Sequence, residues 1–212
     1  SGDPALREAF ERNADIHAAV AARLHGTTPK NVTREQRAQA KTVNFGVLYG
    51  QTAFGLGQTL GVSNREAQKI INRFYENFPR VRECKEKIIA AALEKGYVTT
   101  LLGRRRFVPQ LKEKSQENLG RRIAVNTVFQ GSAADLIKKA MLAIHRELRG
   151  AESAWKARMI LQIHDELLFE CPQNEVRDLT KLVRQKMEEA HPLRVPLVVE
   201  VGVGQDWLSA KG

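Results

Sequence analysis

The segment Thr33-Arg34-Glu35-Gln36-Arg37-Ala38-Gln39-Ala40-Lys41-Thr42-Val43-Asn44-Phe45-Gly46-Val47-Leu48-Tyr49-Gly50 organises the rest of the chain. Thr33, with Gln36 three residues on, has the pattern of a capping box and predicts a helix beginning there. Gly50 supplies the stop. Inside this helix Arg37, Lys41, Phe45 and Tyr49 recur at every fourth position. Each step advances about 400° at 3.6 residues per turn, so the four make one slowly drifting stripe. The stripe has a sense, with two cations first and two aromatics after.

That order matches a nucleoside triphosphate, which has anionic phosphates at one end and a flat base at the other. An arginine fork can hold a terminal phosphate, and a lysine can neutralise an inner one as a point charge. An aromatic ring can pack on a sugar or base. Gly46 and Gly50 would leave room for close approach. The same spacing also fits an amphipathic helix with aromatics in the core and cations in solvent.

Outward from this helix the first two-thirds of the chain read as helical. Residues 5–11, 15–24, 63–78 and 80–94 predict helices, the third opened by a second capping box, Ser63 with Glu66. Residues 97–102 and 106–108 predict short strands around a Gly103-Arg104-Arg105 turn. Residues 114–148 regain helical period, with Phe129, Ala133, Leu136, Ile137, Ala140 and Ile144 on the apolar side. Two apolar runs, 158–163 and 167–171, flank His164-Asp165-Glu166 and predict a hairpin. A helix over 174–190 and a strand over 197–203 follow. Helices first and strands with helices afterwards give an α+β fold in two parts, divided near residue 120.

The chain has 212 residues, 42% hydrophobic and 27% charged, the balance of a soluble globular protein with a real core. No apolar run is long enough to span a membrane. Ser1-Gly2-Asp3-Pro4 carries no signal pattern and no initiator methionine, which predicts a fragment. Cys84 and Cys171 lie far apart, predicting a reducing compartment and no zinc site. Net charge is +10, and residues 80–122 carry 12 Lys/Arg against 5 Asp/Glu, so +7 of it lies there. Such a patch suits a polyanion such as nucleic acid, although it also serves as a solubilising surface.

Two further groups carry chemistry. Gln162-Ile163-His164-Asp165-Glu166 places two acids at a hairpin tip. Turns favour Asp for local reasons, but a rigid tip also suits a carboxylate that must hold Mg²⁺ during phosphoryl transfer. Asn118, Arg122, Asn126 and Gln130 form another every-fourth stripe, opposite the apolar side of residues 114–148. Amides and arginine on one rigid face suit minor-groove acceptors and phosphates, or simply solvent.

These segments together resemble the A-family DNA polymerases. Arg37-x3-Lys41-x3-Phe45-Gly46-x2-Tyr49-Gly50 is similar to motif B of that family, and His164-Asp165-Glu166 to its motif C. Asn126-x3-Gln130-Gly131, Gly103-Arg104-Arg105-Arg106 and the end around Gly204-Gln205-Asp206-Trp207 resemble further family segments. The resemblance implies a mainly helical fingers subdomain over 1–120 and part of a palm with a small antiparallel sheet over 121–212. It implies that Arg37 and Lys41 grip a deoxynucleoside triphosphate, Phe45 packs on its sugar, Tyr49 lies beside the templating base and His17 touches the β-phosphate. Arg106, Arg122, Asn126, Gln130, Gln162 and His164 would contact primer–template DNA. Asp165 would be a metal ligand and Glu166 its neighbour in catalysis, with Lys41 also catalytic and two Mg²⁺ ions in the complete enzyme. The motif that carries the family's other metal-binding aspartate would precede Ser1, so the piece alone is expected to be inactive. A non-catalytic nucleotide- or DNA-binding remnant is the competing expectation, as is a basic helical scaffold. A monomer in the cytoplasm, at the nucleoid, completes what the resemblance implies.

Overall fold

The computed structural model describes residues 1–150 and 153–211. The chain divides into two compact units, Ser1–Phe129 and Gln130–Gly212. The first holds helices α1 (Pro4–Glu11), α2 (Ile16–His25), α3 (Arg34–Leu48), α4 (Ala53–Leu60), α5 (Asn64–Asn77) and α6 (Pro79–Lys95), then a hairpin of β1 (Tyr97–Thr99) and β2 (Arg105–Phe107). Helix α7 (Glu117–Arg149) runs through the division. The second unit continues with the antiparallel pair β3 (Arg158–Ile163) and β4 (Glu166–Glu170), then α8 (Val176–Glu188) and α9 (Trp207–Lys211).

The helix starts are set by short-range chemistry. Asp3, Asp15, Thr33, Thr52 and Ser63 each accept backbone N–H groups of the first turn of the helix that follows. Thr33–Gln36 and Ser63–Glu66 are full capping boxes, with both reciprocal bonds present. Pro4 and Pro79 open α1 and α6, where their missing N–H costs nothing. Gly96 closes α6 at φ +78°, a left-handed backbone that suits glycine.

Packing follows from which face each helix buries. In the first unit Val20, Ala21 and Leu24 of α2 meet Ala40, Val43 and Val47 of α3, and Phe74, Phe78 and Val81 join them. Phe74 and Phe78 are each 1% exposed, and burying a side chain of that kind contributes roughly 1.5–3 kcal/mol. Lys85 of α6 donates from Nζ to the Val47 carbonyl at 2.6 Å and to the Tyr75 hydroxyl at 3.1 Å. That ties the last turn of α3 to α5 and α6, and burial pushes the Lys85 ammonium below its usual value. A second cluster joins Ala92, Val98, Val108, Leu111 and Ala124. In the second unit Ile144, Leu148, Ala157, Leu179 and Val183 form the core, with Trp155, Leu167 and Phe169 against it.

Two expectations are corrected, and one element is new. Residues 197–203 form no strand: among the described residues β3 and β4 pair only with each other, and the Val199 N–H donates instead to Glu188 Oε1 at 3.0 Å. Alternation marks a half-buried face, but a strand also needs a ladder partner. Ala133 is exposed, while Ile137, Ala140 and Ile144 of the same expected stripe are buried. Helix α4 was not anticipated, because Gly55 and Gly57 lower helical propensity. Gly57 is required there by packing: a Cβ would lie 2.9 Å from the Val62 carbonyl oxygen.

Candidate functional site

Arg37, Lys41 and Phe45 stand exposed along one face of α3, while Ala40, Val43, Asn44 and Val47 are buried on the other. Tyr49, half-buried, is the C-cap residue, and its ring stacks with that of Phe45 at 6.1 Å and 13°. The stripe therefore exists as a surface, with cations toward the start of the helix and rings toward its end. The opposite, apolar face is what fixes it in place.

Helix α2 adds to the cationic end. Asp15 caps α2, accepting the His17 N–H at 2.9 Å and the Ala18 N–H at 3.0 Å through Oδ1. Its other oxygen accepts Arg37 Nε at 2.5 Å. Burial pushes the Asp15 carboxyl up, but the Ala18 N–H, the hydrogen bond and charge of Arg37, and the His17 N–H outweigh it and hold the group below its usual value. His17 lies 5.8 Å from the Phe45 ring, centroid to centroid, and its Nδ1 is 3.1 Å from Asn44 Nδ2. Burial lowers the His17 pKa, Asp15 opposes that, and the charges of Arg37 and Lys41 add to the lowering. His17, Arg37, Lys41, Phe45 and Tyr49 are thus gathered on α2 and α3 of one unit. Such a face can neutralise an anion and stack a flat ring beside it.

The glycines of the stripe serve the chain itself. A Cβ at Gly46 would lie 2.5 Å from Gln51 Oε1 and 3.2 Å from a Leu56 methyl, so the expected open space is filled. Gly50, at φ +77°, leaves room for Arg122, whose Cγ would be 3.1 Å from a Cβ there. That contact brings the exposed Arg122 of α7 to the aromatic end of α3. One turn on, Asn126 is half-buried and its Oδ1 has no hydrogen-bond partner among the described residues, an unusual state for a buried acceptor. Arg106 of β2 donates to Thr127 Oγ1 at 3.2 Å, which places it against the same helix. Gln130 follows on α7, exposed, as the first residue of the second unit.

In the second unit His164 and Asp165 form the two-residue connection between β3 and β4, with Ile163 opposite Glu166. His164 takes φ +52°, a left-handed backbone uncommon for residues other than glycine, though histidine, asparagine and aspartate adopt it more often than most. The Gln162 amide donates to the His164 carbonyl at 3.0 Å and braces the turn. Asp165 and Glu166 are exposed. Glu166 pairs with Lys211 of α9 at 3.1 Å, and Lys211 Nζ also lies 5.0 Å from the Trp207 ring centre. Asp165 is a hard oxygen donor on a braced tip and fits one ligand position of a divalent cation. Among the described residues no group of three His, Cys, Asp or Glu side chains comes together.

Sequence reasoning passed over Asp15 and Asn44 as members of the site. The signal for Asn44 was available: it is a polar residue on the otherwise apolar face of α3. Asp15 was readable as an N-cap, but its pairing with Arg37, 22 residues away, was not.

A family model for DNA polymerase family A matches residues 1–209. The thermostable DNA polymerase I of Thermus thermophilus is 47% identical over 214 residues, covering 100% of this chain and 25% of that protein. The DNA polymerase I of Bacillus caldotenax is 44% identical over 211 residues, covering 99% of this chain and 24% of that one. A solved structure, the POL domain of Pol1 from M. smegmatis in complex with DNA primer–template and dNTP, superposes with a TM-score of 0.94 at 38% identity. It covers 100% of this chain and 37% of that one. The chain spans about a quarter of the length of the curated relatives it matches. Among its described residues no helix is long and apolar enough to cross a membrane.

Proposed function

The chain belongs to DNA polymerase family A, and from that membership we propose that it carries the nucleotide-binding fingers and part of the palm of a template-directed DNA polymerase. The observation that carries the reading is the ordered exposed face of α3. Arg37 and Lys41 offer charge at one end, and Phe45 and Tyr49 offer rings at the other.

In this reading Arg37 and Lys41 hold the triphosphate, Lys41 also easing departure of negative charge, and His17 meets the β-phosphate. Phe45 packs on the deoxyribose and Tyr49 keeps the place beside the templating base. Arg106, Arg122, Asn126, Gln130, Gln162 and His164 hold primer–template DNA. The Asn126 oxygen supports this, since an acceptor with no partner among the described residues is suited to a donor from outside the chain. Asp165 contributes a metal ligand and Glu166 stands next to it. When bound, two Mg²⁺ ions supply activation of the primer 3′-hydroxyl and support of the leaving pyrophosphate. With Asp165 and Glu166 as its acidic pair, the piece alone is proposed not to extend a primer. A monomeric protein working on DNA in the cytoplasm fits the same reading.

The test is calorimetric titration with a deoxynucleoside triphosphate. Wild-type protein is expected to bind, and Lys41→Ala to weaken binding about tenfold, the equivalent of roughly 1.4 kcal/mol. Equal affinity in the two proteins would remove α3 from the nucleotide site. A primer-extension assay on the same preparation checks the second claim, and templated extension would overturn it.

A further inference from the structure

Asn44 interrupts the apolar face of α3. Its neighbours there, Ala40, Val43 and Val47, are core residues, and Asn44 is itself only 6% exposed. A buried amide is costly unless it is hydrogen-bonded. Its partner is His17, with Asn44 Nδ2 at 3.1 Å from His17 Nδ1. An amide nitrogen can only donate, so Nδ1 must accept. In a neutral imidazole the proton then resides on Nε2.

We propose that Asn44 is a positioning residue that fixes the ring and tautomer of His17, so that His17 presents an Nε2–H donor to the phosphates of a bound nucleotide. The phosphate end of this inference rests on the nucleotide reading above; the tautomer does not. Two observations and a chemical argument bear on it. His17 lies in the first turn of α2, where the helix N-terminus favours an anion and disfavours an imidazolium. Burial and the nearby Arg37 and Lys41 charges, against Asp15, hold the ring toward its neutral form. A neutral ring has one N–H to give. Were it on Nδ1, the bare Nε2 lone pair would meet phosphate oxygens and repel them.

Long-range ¹H–¹⁵N correlation spectra of the protein at neutral pH, recorded without nucleotide, separate the protonated from the bare ring nitrogen. The expected wild-type result is a bare Nδ1 and a protonated Nε2 for His17. Asn44→Asp keeps the side chain's size but offers only acceptors and a negative charge, and is expected to place a proton on Nδ1, as the Nδ1–H tautomer or as the imidazolium. A wild-type proton on Nδ1, or an unchanged tautomer in folded Asn44→Asp, overturns the proposal. Asn44→Leu, which removes the donor without adding a charge, is expected to weaken triphosphate binding about tenfold. That loss should vanish in a His17→Gln background, since a residue acting through His17 has nothing left to act on. Persistence of the full loss there overturns the positioning role. Failure of the wild-type protein to bind triphosphate would sink the nucleotide reading alone, because the spectra decide the tautomer independently.

Discussion

Arg37 has a resident counter-ion in Asp15, and any phosphate that binds Arg37 must compete with it. Asp15→Asn keeps a good N-cap for α2 and removes the competing charge. Triphosphate affinity is expected to rise about threefold, in line with the roughly 0.3–1 kcal/mol of an exposed pair; calorimetry checks it, and a fall would mean that Asp15 assists binding. The same residue marks the acid limb of stability. Its folded pKa lies below the usual 3.8, so the unfolded chain takes up the proton first as pH falls. The contribution is complete above the unfolded pKa and is lost as pH drops through the folded one. Asp15→Asn should therefore flatten this part of the acid denaturation profile. Lys85 works in the other direction. Burial lowers its folded pKa, so the unfolded chain holds the proton more tightly, and stability should rise as pH climbs from the folded pKa toward the usual 10.5. Replacing it by methionine should remove that rise in chemical-denaturation midpoints measured from neutral to alkaline pH.

Elements were legible where their causes are local. The two capping boxes announced α3 and α5, Gly96 announced the end of α6, and apolar runs around an acidic turn announced the β3–β4 hairpin. The missed pieces depend on distant parts of the chain. Whether residues 197–203 join a ladder depends on a neighbour, and Gly57 reads as a helix breaker until the Val62 carbonyl that demands it is known. The site divides in the same way: the α3 stripe is a matter of period, while Asp15–Arg37 and Asn44–His17 span 22 and 27 residues. Gly120 of α7 illustrates how packing overrides propensity. A Cβ there would lie 2.7 Å from the Leu111 backbone nitrogen and 3.0 Å from the Gln110 carbonyl carbon, neither of which is a flexible side-chain end. Alanine is worth about 1 kcal/mol more than glycine in a helix interior. Gly120→Ala is nevertheless expected to lower stability by about 1–3 kcal/mol through overpacking, read from denaturant midpoints. A stabilised variant would mean that the 109–112 turn yields readily.

Over the whole molecule, charge is the property that acts at longest range. Net charge is +10, and residues 80–122 hold +7 of it, including the basic turn 104–106. Binding to duplex DNA should weaken linearly in log–log plots against salt. Arg104→Ala with Arg105→Ala should reduce the slope by about 2 if both meet phosphates, and an unchanged slope would place the turn away from the backbone. The far end of the chain offers a way to watch the hairpin tip. Lys211 is held between Glu166 and the Trp207 ring, and the chain has two tryptophans, the other being Trp155 against the core of the second unit. Indole emission responds to a nearby ammonium. In Trp155→Phe protein, Trp207 becomes a built-in optical reporter of the Glu166–Lys211 pair: its emission is expected to shift if an added divalent cation binds at the hairpin tip and disturbs that pair, and unchanged emission would place cation binding elsewhere.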